Sequence, residues 1–126
     1  MQSAKINSYR DLVVWQKAMD LVDMIYALSR AFPPQEDYRL TGQITRAVVS
    51  VPANIAEGQA RSTPKDFANF LMMAKGSLNE TETLLLVATR QKCLDENQTS
   101  VALALTGEIS RMLTTLRKRL LARRLD

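Results

Sequence analysis

At 126 residues, with 46% of them hydrophobic and 24% charged, the chain has the length and composition of one globular domain. Four Gly, four Pro and 6% aromatic residues weigh against turn-rich sandwiches and barrels. Seventeen basic and thirteen acidic residues give a net charge of +4, which permits phosphate binding without demanding it, while a single Cys and no His exclude an intramolecular disulfide and a Cys/His metal site.

Ser8 and Asp11 have the spacing of a capping box and predict a first helix over 11–31. Its apolar positions fall in two rows, Val14, Ala18, Leu21, Ile25, Leu28 and Trp15, Met19, Val22, Tyr26, so a wide buried face is expected. Pro33-Pro34 ends it. A second helix over 37–58 keeps its period through Leu40, Ile44, Ala47, Val48, Val51 and Ile55, with Gly58 as its expected C-terminal cap. Pro52 removes a backbone donor and crowds the Val48 carbonyl, so a kink is expected there.

Thr63-Pro64-Lys65-Asp66 sets an N-cap before a proline at the first helical position and predicts a third helix over 64–91. Its stripe runs Phe67, Phe70, Leu71, Ala74, Leu78, Thr81, Leu84, Leu85 and Ala88. Asp95 is placed to cap a fourth helix over 96–122, with Val101, Leu105, Ile109, Met112, Leu116 and Leu120 as its core row. Short connections make sequential helices antiparallel. The expected fold is therefore all-α, a single domain over 1–126 forming an up-down-up-down four-helix bundle whose second helix bends at Pro52. No apolar run approaches the roughly 20 residues needed to span a bilayer. Residues 1–9 lack the apolar segment of a signal peptide, so a cytoplasmic protein is expected.

Catalytic chemistry has few candidates. Without His, acid–base work falls to Glu57, Glu80 and Glu82, and the last two, two residues apart on a helix, diverge. Gly42, Gly58, Gly76 and Gly107 are isolated, so no glycine-rich phosphate loop exists. No enzymatic activity, metal or cofactor is expected. Cys93 follows Lys92, which lowers its pKa if the thiol is exposed, but a packed structural role is favoured.

Two binding features remain. Arg46, Ser50, Asn54 and Glu57 recur at helical spacing as a polar ribbon, read either as a network around Pro52 or as a subunit contact. Gly76, mid-helix, costs up to about 1 kcal/mol relative to Ala, which points to close approach of a helix from this chain or another copy. The stronger signal is the C-terminal end, where Arg111, Arg117, Lys118, Arg119, Arg123 and Arg124 face the lone acid Asp126. On a helical wheel Arg119 and Arg123 fall near Met112, Leu116 and Leu120, and the other cations surround the remaining circumference. A last turn basic all round is expected to project past the bundle and meet phosphates or an acidic partner, although cations also suit a helix C-terminus for dipole reasons alone.

Three ordered segments, Tyr9-Arg10-Asp11-Leu12-Val13-Val14-Trp15-Gln16-Lys17-Ala18, Val51-Pro52-Ala53-Asn54-Ile55-Ala56-Glu57-Gly58 and Ala74-Lys75-Gly76-Ser77-Leu78, carry a family resemblance. The chain resembles the four-helix bundle proteins of the ribosomal-RNA intervening-sequence family from about Tyr9 to Leu121. The resemblance implies a bacterial bundle that assembles into a homopentameric ring. A related bundle is the accessory variability determinant of diversity-generating retroelements, a basic pentamer that binds nucleic acid and partners a reverse transcriptase. The expected function is thus a non-enzymatic homopentamer that binds RNA or DNA through its basic residues, with a reverse transcriptase as a further candidate partner. The alternative is an adaptor that presents a surface to a protein.

Overall fold

A computed structural model describes residues 6–123. Its four helices are α1 (Val13–Ser29), α2 (Leu40–Gln59), α3 (Pro64–Arg90) and α4 (Glu96–Arg123), and the described residues include no strand. Adjacent helices follow the cyclic order α1, α2, α3, α4, and the backbones of the diagonal pairs lie farther apart. This is an all-α four-helix bundle. Packing is tightest between α2 and α3 and loosest between α1 and α4. Among the described residues no helix is long and apolar enough to cross a membrane.

The capping box at Ser8 is present but serves a different element. The Arg10 amide donates to Ser8 Oγ at 3.1 Å and the Ser8 amide donates to the Asp11 carboxylate at 3.2 Å. They close a single 3-10 turn, Tyr9–Asp11, after which Leu12 is extended and α1 starts at Val13 instead of residue 11. The Gln16 side chain donates to the Arg10 carbonyl, and the Tyr9 and Trp15 rings meet edge to face at 5.1 Å, so the turn is fastened onto α1. At the other end α1 stops at Ser29, and the Ala31 and Phe32 amides bond three residues back. Phe32 precedes Pro33, whose ring disfavours a helical backbone there. A second 3-10 turn, Pro34–Glu36, follows, and non-helical angles at Arg39 delay α2 to Leu40.

The chain remains helical through Pro52, which is buried with Val51. Gly58 is not a left-handed cap: it lies inside α2, and no described glycine has positive φ. Its reason is tertiary. A Cβ there would sit 2.6 Å from Phe70 Cβ and 2.9 Å from Phe67 Cδ1, so the missing side chain lets α2 and α3 meet. Thr63 caps α3 by accepting from the Asp66 amide at 3.1 Å. Asp95 caps α4 by accepting from the Gln98 amide at 2.7 Å, and Gln98 Oε1 accepts from the Asp95 amide in return.

The core comprises the expected row of α2, Leu71, Ala74, Leu78, Thr81, Leu85 and Ala88 of the α3 row together with the unexpected Ala68, and Val14, Ala18, Leu21 and Ile25 of α1, whereas Leu28, Phe67, Phe70 and Leu84 are only half-buried. A fully buried Leu or Ile of this kind contributes roughly 1.5–3 kcal/mol. The second row of α1 is not core: Trp15 and Val22 are half-buried, and Met19 and Tyr26 are exposed. The α4 row also differs. Its buried residues are Thr99, Ala102, Thr106, Ile109, Leu113 and Leu120, whereas Val101 is 55% exposed and Leu105, Met112 and Leu116 are half-buried.

Hydroxyls explain the shifted register. Thr106 Oγ1 donates to the Glu82 carboxylate, Thr89 and Thr99 hydrogen-bond to each other, and Lys75 Nζ donates to Thr114 Oγ1 at 2.8 Å. These links step forward along α3 as they step back along α4, so the two helices are antiparallel. Their seam is a polar ladder inside an apolar bundle.

Candidate nucleic-acid interface

The basic residues of α4 divide into three environments. Arg111, Lys118, Arg119 and Arg123 are exposed. Arg117 is half-buried, and its Nε is enclosed with no hydrogen-bond partner among the described residues. It lies one turn beyond Thr114, the residue that binds Lys75 of α3, and so belongs to the side of α4 that faces α3. Arg124 lies outside the described residues.

The last turn does not project free of the bundle. Leu120 is only 4% exposed, and Leu121 is half-buried. The turn packs because the α2–α3 connection folds over it. Gln59, Arg61, Thr63, Phe67, Leu120 and Arg123 line one crevice of about 200 Å³. Two cations from chain segments far apart in sequence thus share one site.

Arg61 is held in place from two sides. Its Nη2 lies 2.8 Å from Glu57 Oε2, and its guanidinium stands 4.7 Å from the centroid of the Phe70 ring. Both members of the ion pair are solvated, so the pair contributes at most about 1 kcal/mol, but with the ring it fixes the direction of the fork. Lys65 is exposed on the first turn of α3, beside the crevice-lining Pro64.

Arg111 and Arg119 belong elsewhere. They rim a groove of about 380 Å³ between the start of α1 and the C-terminal half of α4, floored by Leu12, Val13, Met112 and Leu116. Glu108 also lines it, and Lys17 Nζ pairs with Glu108 Oε2 at 3.1 Å. One cation therefore already compensates the acid of this rim.

The polar ribbon of α2 does not converge on a site. Ser50 Oγ donates to the Arg46 carbonyl at 3.1 Å and Asn54 Nδ2 donates to the Ser50 carbonyl at 2.9 Å. Neither reaches the Val48 carbonyl that Pro52 leaves without its donor. Arg46 is exposed over Gly42, and Glu57 is engaged by Arg61. Ser50 and Asn54 thus bond one turn back along their own helix, and do not form the expected network around Pro52. The candidate carboxylates also stand apart: Glu80 is exposed, and Glu82 accepts from Thr106.

Cys93 follows the end of α3, where Lys92 adopts a left-handed φ of 66° and the Cys93 amide bonds back to the Ala88 carbonyl. Burial pushes its thiol above the ordinary pKa and the Glu36 carboxylate adds to the rise. The thiol is half-buried, so the exposure on which a lowering by Lys92 depends is not met, and burial disfavours the thiolate.

The family model for 23S rRNA-intervening sequence protein matches residues 10–115. The chain belongs to this family. A crystal structure of a protein with unknown function from the S23 ribosomal protein family of Bacteroides thetaiotaomicron superposes with a TM-score of 0.78 at 28% identity. The alignment covers 84% of this chain and 99% of that one. No curated protein matches the chain. The family match takes in the groove residues Leu12, Val13 and Arg111 but ends before Arg117, so the basic last turn lies outside it.

Proposed function

We propose that this member of the 23S rRNA-intervening sequence protein family is a non-enzymatic, self-associating protein that binds the phosphate backbone of RNA or DNA through the basic end of its bundle. The observation that carries this reading is the meeting of Arg61 and Arg123 in one crevice, with Lys65 exposed beside the crevice-lining Pro64 and Lys118 exposed on the last turns of α4. A guanidinium already oriented by a carboxylate and a ring loses less freedom when it takes a phosphate oxygen in its fork. Arg111 and Arg119, set around an apolar groove, are assigned a lesser share of phosphate contact.

Self-association, as the homopentameric ring implied by the sequence resemblance, is supported by the apolar groove and by exposed Met72, Met73, Leu86 and Val87 on α3. The same surfaces favour the adaptor as the second reading. A reverse transcriptase is the partner expected in a retroelement setting, to be tested by co-purification with any such enzyme encoded beside this gene.

The main test is fluorescence anisotropy with labelled single-stranded RNA and DNA between low and physiological salt. Affinity is expected to fall steeply with salt, and Arg61→Gln, Lys118→Gln and Arg123→Gln are each expected to reduce the logarithmic slope by about 0.7–0.9 for every phosphate the variant no longer neutralises. Binding whose affinity and slope are unchanged in the triple variant would refute the assignment.

A further inference from the structure

Gly76 lies in the middle of α3, where glycine weakens a helix, yet nothing in its own chain requires it. A Cβ built on it would meet no atom within 4 Å. Close approach by another helix of this bundle is therefore not its cause. On the outside of α3 it is flanked by exposed apolar residues, Met72 and Met73 (53% exposed) a turn before and Leu86 and Val87 about three turns after, with Asn79, Glu80 and Thr83 exposed between them. Met72 to Val87 spans roughly 22 Å of helix. Within it the only fully exposed charge is Glu80, because Lys75 and Glu82 are half-buried and turned into the seam with α4. An outer helix face this poor in charge, and flattened at its centre by a glycine, is unlike a solvated surface.

The groove between α1 and α4 has complementary properties. Its floor is apolar, with Val13 54% exposed, and it lies along the loosest seam of the bundle. Glu108 is taken by Lys17, whereas Arg111 and Arg119 have no ion-pair partner among the described residues. The groove is thus apolar with a positive rim, and the α3 face offers apolar side chains at both ends, uncharged Asn79 and Thr83 between them, and one exposed carboxylate.

We infer that the outer face of α3 in one copy of this chain docks in the α1–α4 groove of the next, with Gly76 as the point of closest approach and Glu80 meeting Arg111 or Arg119. The inference rests on the self-association proposed above and adds its surfaces and polarity. Because the two patches are different, the contact is heterologous. Every copy keeps one face and one groove to offer, which builds a ring where the rotation closes.

The test uses the full chain and two variants at exposed positions, Met73→Asp in the face and Val13→Asp in the groove. Light scattering with size-exclusion chromatography reads the mass, and circular dichroism confirms that each variant folds. Wild type is expected to assemble, each variant alone to be monomeric, and an equimolar mixture to form a one-to-one dimer from the intact face of one and the intact groove of the other. Gly76→Ala is expected to raise the unfolding midpoint in the monomeric Val13→Asp background while weakening wild-type assembly at least tenfold. Monomeric wild type at micromolar concentration would overturn self-association itself. Assembled wild type that withstands Met73→Asp, or that needs the face but not the groove, would overturn this interface and leave self-association standing.

Discussion

Replacing Gly58 by Ala tests the closest packing in the bundle. On the present backbone the new Cβ would lie 2.6 Å from Phe70 Cβ, 2.9 Å from Phe67 Cδ1 and 3.3 Å from the Phe67 carbonyl oxygen. Carbon atoms prefer about 3.5–4.0 Å. The Phe67 ring can rotate away, but Phe70 Cβ is bonded directly to the α3 backbone and no rotamer moves it. The helices must part by about 1 Å at their tightest approach, the shortfall from that preferred separation. Overpacking of this kind costs roughly 1–3 kcal/mol, and the better helix propensity of Ala returns up to about 1 kcal/mol. A net loss of about 1–2 kcal/mol lowers the melting midpoint by roughly 3–10 °C in a domain of this size. Thermal unfolding followed by circular dichroism, in the Val13→Asp background so that assembly does not contribute, measures it. Gly58→Asn adds a discriminating arm, since a left-handed cap tolerates Asn while a packing contact tolerates it less than Ala. A Gly58→Ala midpoint equal to or above its parent would refute the close-packing account.

Two further predictions concern the end of α3. Lys92 holds a left-handed φ of 66°, which costs an L-residue about 1 kcal/mol, so Lys92→Gly is expected to raise the midpoint by a few degrees; an unchanged or lower midpoint in the same melt would count against strain at this position. Cys93 is expected to react with iodoacetamide along a pH profile displaced upward from that of a free thiol, and Glu36→Gln to move the profile only part of the way back, because desolvation is the larger cause. The folded chain holds this proton more tightly than the unfolded one, so the thiol's contribution to stability is complete below the ordinary thiol pKa and is lost as pH rises through the folded value. A profile at or below that of a free thiol would refute the burial argument.

The sequence is most legible where a local rule acts alone. Thr63-Pro64 marks the first turn of α3 and Asp95 caps α4, because a cap is decided by residues within one turn of it. It is least legible where the deciding partner is distant. Gly58 stands at the end of an apolar row, as a cap does, and only Phe67 and Phe70 across the α2–α3 contact reveal its purpose. The buried threonines of α4 read as polar, and apolar periodicity runs the core row through Val101 and Leu105 instead. Yet Thr99 donates to the Asp95 carbonyl and Thr106 to the Glu82 carboxylate, which leaves each methyl to pack with its hydroxyl satisfied. The helical wheel sets Arg119 and Arg123 together near Met112, Leu116 and Leu120, whereas the structure divides them, Arg119 with Met112 and Leu116 at the groove and Arg123 with Leu120 at the crevice. The meeting of Arg123 with Arg61 depends on how the α2–α3 connection folds over α4, which no spacing rule contains.

The division of cations along α4 links the two proposals. Residues four apart on a helix advance about 6 Å and turn about 40°, so Arg119 and Arg123 need only that small rotation to address different neighbours, α1 in one case and the α2–α3 connection in the other. A crevice with Arg61 and Arg123 has room for few phosphates, so a single copy offers a small part of the counterion release that tight nucleic-acid binding requires. Assembly through the groove would repeat that crevice at fixed spacing, and binding at one copy would raise the local concentration of nucleic acid at the next. Arg111 and Arg119 would then act on affinity through assembly, whereas Arg61 and Arg123 would act through contact. The same change of charge on one helix is therefore expected to alter the mass of the assembly at Arg111 and Arg119 and the salt slope of the bound complex at Arg123.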